Sequence, residues 1–494
     1  MHSDVVFVNK GFGIFEAFEG SATFRRNVEL IIASLLFLML VFTLCNYWPI
    51  DIWRQDSMYY VDSYADKLSE EGRWINYFLF DCLRLVPGQV AIWLSYLGVV
   101  TFGYGVAYNY TGEHRFSLIF GLLICQIPVI PVQLQWPETL VSGFLLLGFA
   151  SLLARFISIY VFFPLMAVLL FGTFSVFYFV LPLLFLKDLD YKRAVLVFFL
   201  WILAFCFGYL ITNLIVWQLT GNSIQVAEWR NPNYITDLAS LAENLQRIYL
   251  AMSSQLLRIS LVLISVLVIA VISWGIYSSI VLRSQIVMLL GAFCASGVYL
   301  STLPLGIYIQ ERTLTPVFIG LISAFLLRKY SSNYMALIGL SLIFLLGLRM
   351  SVLTNNGIDW YRANTESMKE EFSQLLPYDP KTVQRLFVVA EMSESQKVFL
   401  KFNLEHGIRG RFSEGFAPPM YWLPVLKNMG FKDFRVCTNL EGWDCDYIKP
   451  FYEKRFSYEL PSGIFTAWKI NDHDVILTIN PGFLKSPLPE KLLP

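Results

Sequence analysis

The chain has 494 residues, with 37 basic and 37 acidic side chains and no net charge. Apolar residues make up 56% of it, charged residues only 15%, and the mean hydropathy is +0.56. Balanced charge makes no case for a nucleic-acid partner, and so apolar a composition excludes an ordinary soluble domain; it predicts a polytopic α-helical membrane protein.

Taken from the N-terminus, Arg25 and Arg26 precede an apolar run long enough for a full span, which is not the layout of a cleavable signal. Runs of roughly 20 apolar residues, enough to cross a bilayer core of ~30 Å, then recur. They place about eleven spans near 28–50, 88–110, 116–134, 138–154, 156–171, 173–187, 194–218, 258–282, 284–303, 313–328 and 332–350. The stretch "FISIYVFFPLMAVLLFGTFSVFYFVLPLLFL" in the middle folds either as two short helices or as one span plus a re-entrant piece. Lys and Arg in the short loops set the orientation. A cytoplasmic N-terminus gathers Lys10, Arg25, Arg26, Arg115, Arg155, Lys187, Lys192, Arg193, Arg283, Arg328 and Lys329 on the inner side. The loop "DIWRQDSMYYVDSYADKLSEEGR", the loop 219–257 and the C-terminal tail then fall outside.

Within the loop 219–257, Leu238, Leu241, Leu245, Ile248 and Met252 follow Asp237 at helical spacing, which suits a helix lying on the membrane surface. Residues 1–353 form the membrane domain and residues 354–494 a small extracytoplasmic α/β domain. Strands are expected at "RLFVVAE", "DFRVCT", "FSYEL" and in "GIFTAWKINDHDVILTIN", the last a hairpin turning at Asn471-Asp472-His473-Asp474. A short helix in "PPMYWLPVLKNMGF" ends at Gly430. Cys437 and Cys445 are close enough in this tail to be bridged, which favours an oxidising compartment. The other five cysteines, Cys45, Cys82, Cys125, Cys206 and Cys294, sit in or beside apolar segments and are expected as buried small hydrophobes.

The chain has no phosphate-binding P-loop, no dinucleotide fingerprint, no nucleophile elbow and no histidine pair at metal-ligand spacing. Ionisable residues deep in the spans are scarce, which counts against an ion-coupled transporter. What remains is the outer acidic stretch "QDSMYYVDSYADKLSEEGRW". Sugar transfer from a phosphate-linked donor needs a carboxylate to draw the proton from the attacking hydroxyl. It also needs positive charge where the departing phosphate gains negative charge. Asp56, Asp62 and Asp66 meet the first need, with a solvated loop as the alternative use of these acids. Arg312, in "YIQERTLTPVF", and Arg73 meet the second, against snorkelling beside Glu311 as the alternative for Arg312. Trp229, Tyr234, Tyr421, Trp422 and Trp443 offer rings for stacking on sugars, or else for packing and interface anchoring.

An Asp-rich outer loop after the first span, the "EEGRW" step, the "ERTLTP" start of a late span and an extracytoplasmic tail together resemble one family. It is the phage-encoded O-antigen glucosyltransferases (Gtr family) behind serotype conversion in enteric bacteria, a branch of the GT-C membrane glycosyltransferases. The resemblance covers the layout of nearly the whole chain, on short motifs. It implies a GT-C-like fold in the bacterial inner membrane, with the C-terminal domain periplasmic. It also implies an undecaprenyl-phosphate-glucose donor and a lipid-linked O-antigen acceptor. An Asp-Asp pair is frequent in that family's first loop; "QD" keeps its second member, so Asp56 ranks ahead of Asp62 and Asp66 as base. Arg73 and Arg312 carry over as active-site and phosphate-contacting residues. Inversion at the anomeric centre follows from the same likeness. No cofactor is required, although the spare acids leave room for a divalent ion. Two other functions stay open on the sequence: a GT-C enzyme for another sugar or acceptor (polymerase or ligase), and a flippase or transporter of lipid-linked sugars.

Overall fold

The computed structural model describes residues 22–47, 64–83, 85–134, 137–187, 190–226, 230–277, 282–307, 309–327, 333–375, 377–391, 422–437, 445–453 and 463–485, with a few more between 393 and 401. Its first part is a helical bundle: α1 (Ala22–Tyr47), α2 (Ala65–Glu71), α3 (Trp74–Leu83), α4 (Gly88–Thr111), α5 (His114–Ile124), α6 (Val129–Gln133), α7 (Pro137–Leu153) and α8 (Ile159–Phe171). A 3-10 segment, Ser175–Phe185, leads to α9 (Tyr191–Thr220), α10 (Leu238–Tyr277), α11 (Leu282–Thr302), α12 (Thr315–Leu326) and α13 (Asn333–Glu371). Among the described residues, five helices are long and apolar enough to cross a membrane. They fall in the expected spans at 28–50, 88–110, 194–218, 284–303 and 332–350, and they make the chain a helical membrane protein.

The surface chemistry agrees with lipid contact. α1 buries Ile32, Leu36 and Leu40 while exposing Leu30, Ile31, Leu38 and Phe42, so it is apolar on both sides. Apolar surface facing hydrocarbon gains nothing by burial, so close packing must hold such helices together. Glycines provide it: a Cβ on Gly98 of α4 would sit 2.1 Å from the Phe144 carbonyl oxygen of α7, and one on Gly291 of α11 would sit 2.5 Å from the Gly320 oxygen of α12. Polar side chains add interhelical links. Asn46 Nδ2 donates to Asn355 Oδ1 at 2.7 Å, and Asn355 Nδ2 donates to Thr43 Oγ1 at 3.1 Å, joining α1 to α13.

Three expectations need correction. The expected span 116–134 is broken, because a turn at Gln126 and Ile127 and then Pro128 separate α5 from α6. The membrane-surface helix expected from Asp237 is the first half of one 40-residue helix, α10, whose Ile248 and Met252 pack on the bundle while Leu238 and Leu245 are exposed. Cys45, Cys82 and Cys206 are exposed rather than buried; Cys125 and Cys294 are buried. The stretch at 156–187 takes the two-short-helix form, α8 followed by the 3-10 segment, in which Phe177 to Phe185 are all buried.

α13 runs unbroken into the polar C-terminal part, where β1 (Arg385–Val389), α14 (Leu423–Asn428), β2 (Phe434–Cys437), α15 (Lys449–Glu453), β3 (Phe465–Lys469), β4 (Asp474–Ile479) and α16 (Pro481–Lys485) follow. The sheet has the order β2-β1-β4-β3, with β1 parallel to β2 and β4 and β3 antiparallel to β4. Leu386 pairs with Phe434 on one side and with Val475 on the other. The β3–β4 hairpin turns where expected, with Asn471 Oδ1 accepting from the backbone N–H groups of His473 and Asp474 at 2.8 Å each. Gly430 follows α14 in a left-handed conformation, φ +100°. Cys437 and Cys445 are disulfide-bonded, with their Cα atoms 5.7 Å apart. The expected strand "FSYEL" lies outside the described residues.

Candidate functional site

The step "EEGR" builds the site. α2 ends at Gly72, which adopts φ +70°, and the Gly72 and Arg73 N–H groups donate to Leu68 and Lys67 carbonyls at 3.0 and 3.3 Å. Only glycine suits this place twice over. Its φ is costly for other residues, and a Cβ would lie 2.7 Å from Thr212 Cγ2 and 2.8 Å from Ile224 Cδ1. The chain beyond is pinned at once. Ile75 and Asn76 N–H groups donate to the Gly172 carbonyl at 2.9 and 3.2 Å, and Asn76 Nδ2 donates to the Thr139 carbonyl at 2.7 Å. The left-handed turn therefore fixes Glu71 and Arg73 on either side of Gly72.

Both residues line a cavity of about 500 Å³ bordered by the α2–α3 turn, the end of α8, the 3-10 segment, α9, α11 and residues 224, 226, 230, 301–307 and 309–313. One end of the cavity is ionic. Arg230 Nη2 lies 2.7 Å and Lys67 Nζ 3.1 Å from Glu71 Oε1, and Arg73 pairs with Glu71 Oε2. Arg73 also stacks over Phe174, 5.2 Å from the ring centre. Arg312 and Glu70 complete the charged lining. Most of the remaining wall is apolar, with Phe171, Val176, Phe179, Phe205, Leu210 and Val298, and Ser175, Thr302 and Gln310 add polar groups.

Two loops bring in the distant arginines. The 3-10 turn Glu311–Leu314 that carries Arg312 is held from α6, where Gln133 Nε2 donates to the Arg312 carbonyl at 2.6 Å and Gln133 Oε1 accepts from the Thr315 hydroxyl at 2.8 Å. The loop that carries Arg230 is tied to α2 by Gln225 N–H on the Ser69 carbonyl, 2.9 Å, and to the 303–306 turn by Asn233 N–H on the Leu305 carbonyl, 2.8 Å. The buried Asn244 of α10 donates to the Asn233 and Leu303 carbonyls at 2.7 and 3.1 Å, locking the two loops together.

The electrostatics separate the two glutamates. Burial alone would raise the Glu71 carboxyl, but Arg73, Lys67, Arg230 and Arg312 outweigh it and hold the group well below the usual carboxylate range. Glu70 is shifted the other way: burial raises it, Lys67 opposes, and the Glu71 and Asp66 carboxylates raise it further. Among the described residues, the lining thus joins three arginines and two glutamates to apolar walls, a chemistry that suits an anionic group attached to an apolar chain.

Of the residues singled out from the sequence, Arg73 and Arg312 share this cavity. Asp66 sits in the first turn of α2, exposed and off the cavity lining. Asp56, Asp62, Trp229, Tyr421 and Trp443 lie outside the described residues. Tyr234 is exposed on the loop over the site. Trp422 is no surface platform for a sugar: it is fully buried in the C-terminal core, edge-on to Phe465 at 4.8 Å. Glu70, Glu71 and Arg230 were not singled out. Two acids before a Gly-Arg step were a visible signal for the glutamates, but nothing in the sequence around Arg230 marks it. Among the described residues no group of three His, Cys, Asp or Glu side chains could hold a metal ion. Compared with protein-family models, curated proteins and solved structures, the chain matches none.

Proposed function

We propose that the chain is a GT-C-like glycosyltransferase of the bacterial inner membrane, with about eleven spans and a periplasmic C-terminal domain. It moves a glucosyl residue from undecaprenyl-phosphate-glucose to a hydroxyl of the lipid-linked O-antigen. The observation that carries this is the amphiphilic cavity. Arg73, Arg230 and Arg312 line it for a phosphate, and Phe171, Phe179, Phe205 and Leu210 give it apolar walls for an isoprenoid chain. The likeness of the "EEGRW" and "ERTLTP" motifs to the serotype-converting glucosyltransferases supports the same assignment.

Orientation rests on the cations at the other end of the bundle. Arg25, Arg115, Arg155 and Arg193 lie at the ends of α1, α5, α7 and α9 remote from the cavity. A cytoplasmic position for them puts the cavity on the periplasmic side. The reaction is a single displacement with inversion. A carboxylate of the stretch 56–71 takes the acceptor proton, and the arginines receive the charge that builds on the phosphate. Arginine serves in place of a metal, so no cofactor is required.

Purified protein in lipid nanodiscs, given labelled undecaprenyl-phosphate-glucose and lipid-linked acceptor, is expected to label the acceptor. Translocation of the intact lipid-linked sugar across sealed vesicles without transfer would replace this function with that of a flippase.

A further inference from the structure

α2 carries three acids on two ridges, and the ridges have different fates. Lys67 and Glu71, four residues apart, turn inward, and both Glu71 oxygens are taken up by cations. Asp66 and Glu70, also four apart, form the other ridge. It starts exposed at Asp66 and ends at the lining of the cavity at Glu70. Glu70 therefore stands at the boundary between open water and the arginine cluster, with no hydrogen-bond partner among the described residues. A carboxylate saturated by three cations is a poor proton acceptor, and one in bulk water is remote from the donor. Glu70 alone of the three acids avoids both limits.

We propose that Glu70 is the catalytic base that accepts the proton of the acceptor hydroxyl. The assignment rests on the glycosyl-transfer function above, and it picks a residue of the cavity wall from the acids of α2; Asp56, ranked first by resemblance, lies outside the described residues. As the acceptor oxygen bonds to the anomeric carbon, its proton passes to the Glu70 carboxylate. The bond from that carbon to the phosphate oxygen breaks, and its electron pair stays on the phosphate. The lipid phosphate leaves with two negative charges in place of one, beside Arg73, Arg230 and Arg312, and Glu70 later gives its proton to water. Its raised proton affinity suits the role, because a base works better as its pKa approaches the operating pH.

The full-length protein in nanodiscs tests this with Glu70→Gln and Glu70→Asp, using undecaprenyl-phosphate-glucose for both transfer and equilibrium binding. Glu70→Gln is expected to lower the turnover rate by about 10²–10⁴-fold with donor binding unchanged. Glu70→Asp is expected to keep part of the rate and to move the acid limb of its pH profile. Transfer by Glu70→Gln at the wild-type rate overturns the assignment, as does a rate lost in step with donor binding. If the wild-type protein transfers no sugar, the glycosyl-transfer function itself fails, and the assignment with it. If only the variants behave contrary to expectation, the function stands and the base lies elsewhere.

Discussion

At the end of the bundle away from the cavity, two arginines share two acids and a third rests on an aromatic ring. Arg25 pairs with Glu29 at 2.8 Å and with Glu113 at 2.6 Å, Arg115 reaches Glu29 at 3.7 Å, and Arg155 stacks on Tyr108. At the cavity end, Lys67, Arg73, Arg230 and Arg312 surround Glu71, with Glu70 as the second acid. The first arrangement is partly open to water, where screening leaves each pair worth little. In the second, Lys67, Glu71 and Arg73 are nearly buried, where charge is costly to gather and strong in effect. At this end four cations act on one buried carboxylate, whereas at the other end Glu29 and Glu113 answer to two arginines.

Mutations can break or sharpen this contrast. Glu71→Ala leaves the cations facing one another in a desolvated site and is expected to destabilise the protein by about 3–5 kcal/mol, read by thermal or denaturant unfolding in detergent. Acid should act in the same direction. The Glu71 carboxyl is held below its unfolded value, so its stabilisation is complete above the unfolded pKa of about 4.3 and is lost as pH falls through the folded value. Glu71→Gln should flatten that part of the pH–stability curve. Arg312→Ala is expected to lower sugar transfer about 10²–10³-fold, the usual cost of losing one group that stabilises a developing anion, with little change in unfolding temperature. Gly72→Ala should cost about 1–3 kcal/mol through its left-handed φ, with repulsion from Thr212 and Ile224 in addition. The smallest effect belongs to the opposite end: Glu113→Ala, at a half-exposed carboxylate, should change stability by about 0–1 kcal/mol and leave transfer unaltered. A large loss of transfer there would remove the asymmetry between the two ends.

Much of the fold was legible because apolar runs and strand alternation are local signals. α1, α4, α9, α11, the β3–β4 hairpin and the left-handed Gly430 all come from neighbours in the chain. What was hidden depends on context. Asp237 caps its helix by accepting from the Ser240 N–H at 2.7 Å, which correctly marks where α10 begins. Nothing after Met252 announced that the helix would continue without a break into the next apolar run. Pro128 and Pro131 were visible breakers, yet the run of hydropathy around them outweighed them. The site divides similarly. Arg73 and Arg312 stood beside distinctive motifs, whereas Arg230 acquires its role only because Asn244 fastens its loop over Glu71. The acids of 55–74 were legible as a group, but choosing among them required the helical phase of α2, which separates Glu70 from Glu71 by a single residue.

α13 has a further consequence. Its 39 residues pass from the bundle, where Asn355 and Arg362 grip α1, straight into the 3-10 turn Phe372–Leu375, and Phe372 is embedded in the core of the sheet unit. At about 1.5 Å and 100° per residue, such a shaft sets both the height and the bearing of the sheet unit relative to the cavity. One residue inserted after Arg362 would swing that unit by roughly 100°, whereas seven would return it nearly to its first heading about 10 Å further out. The connection is a drive shaft, and the angular position of the C-terminal unit is written into the number of residues along it.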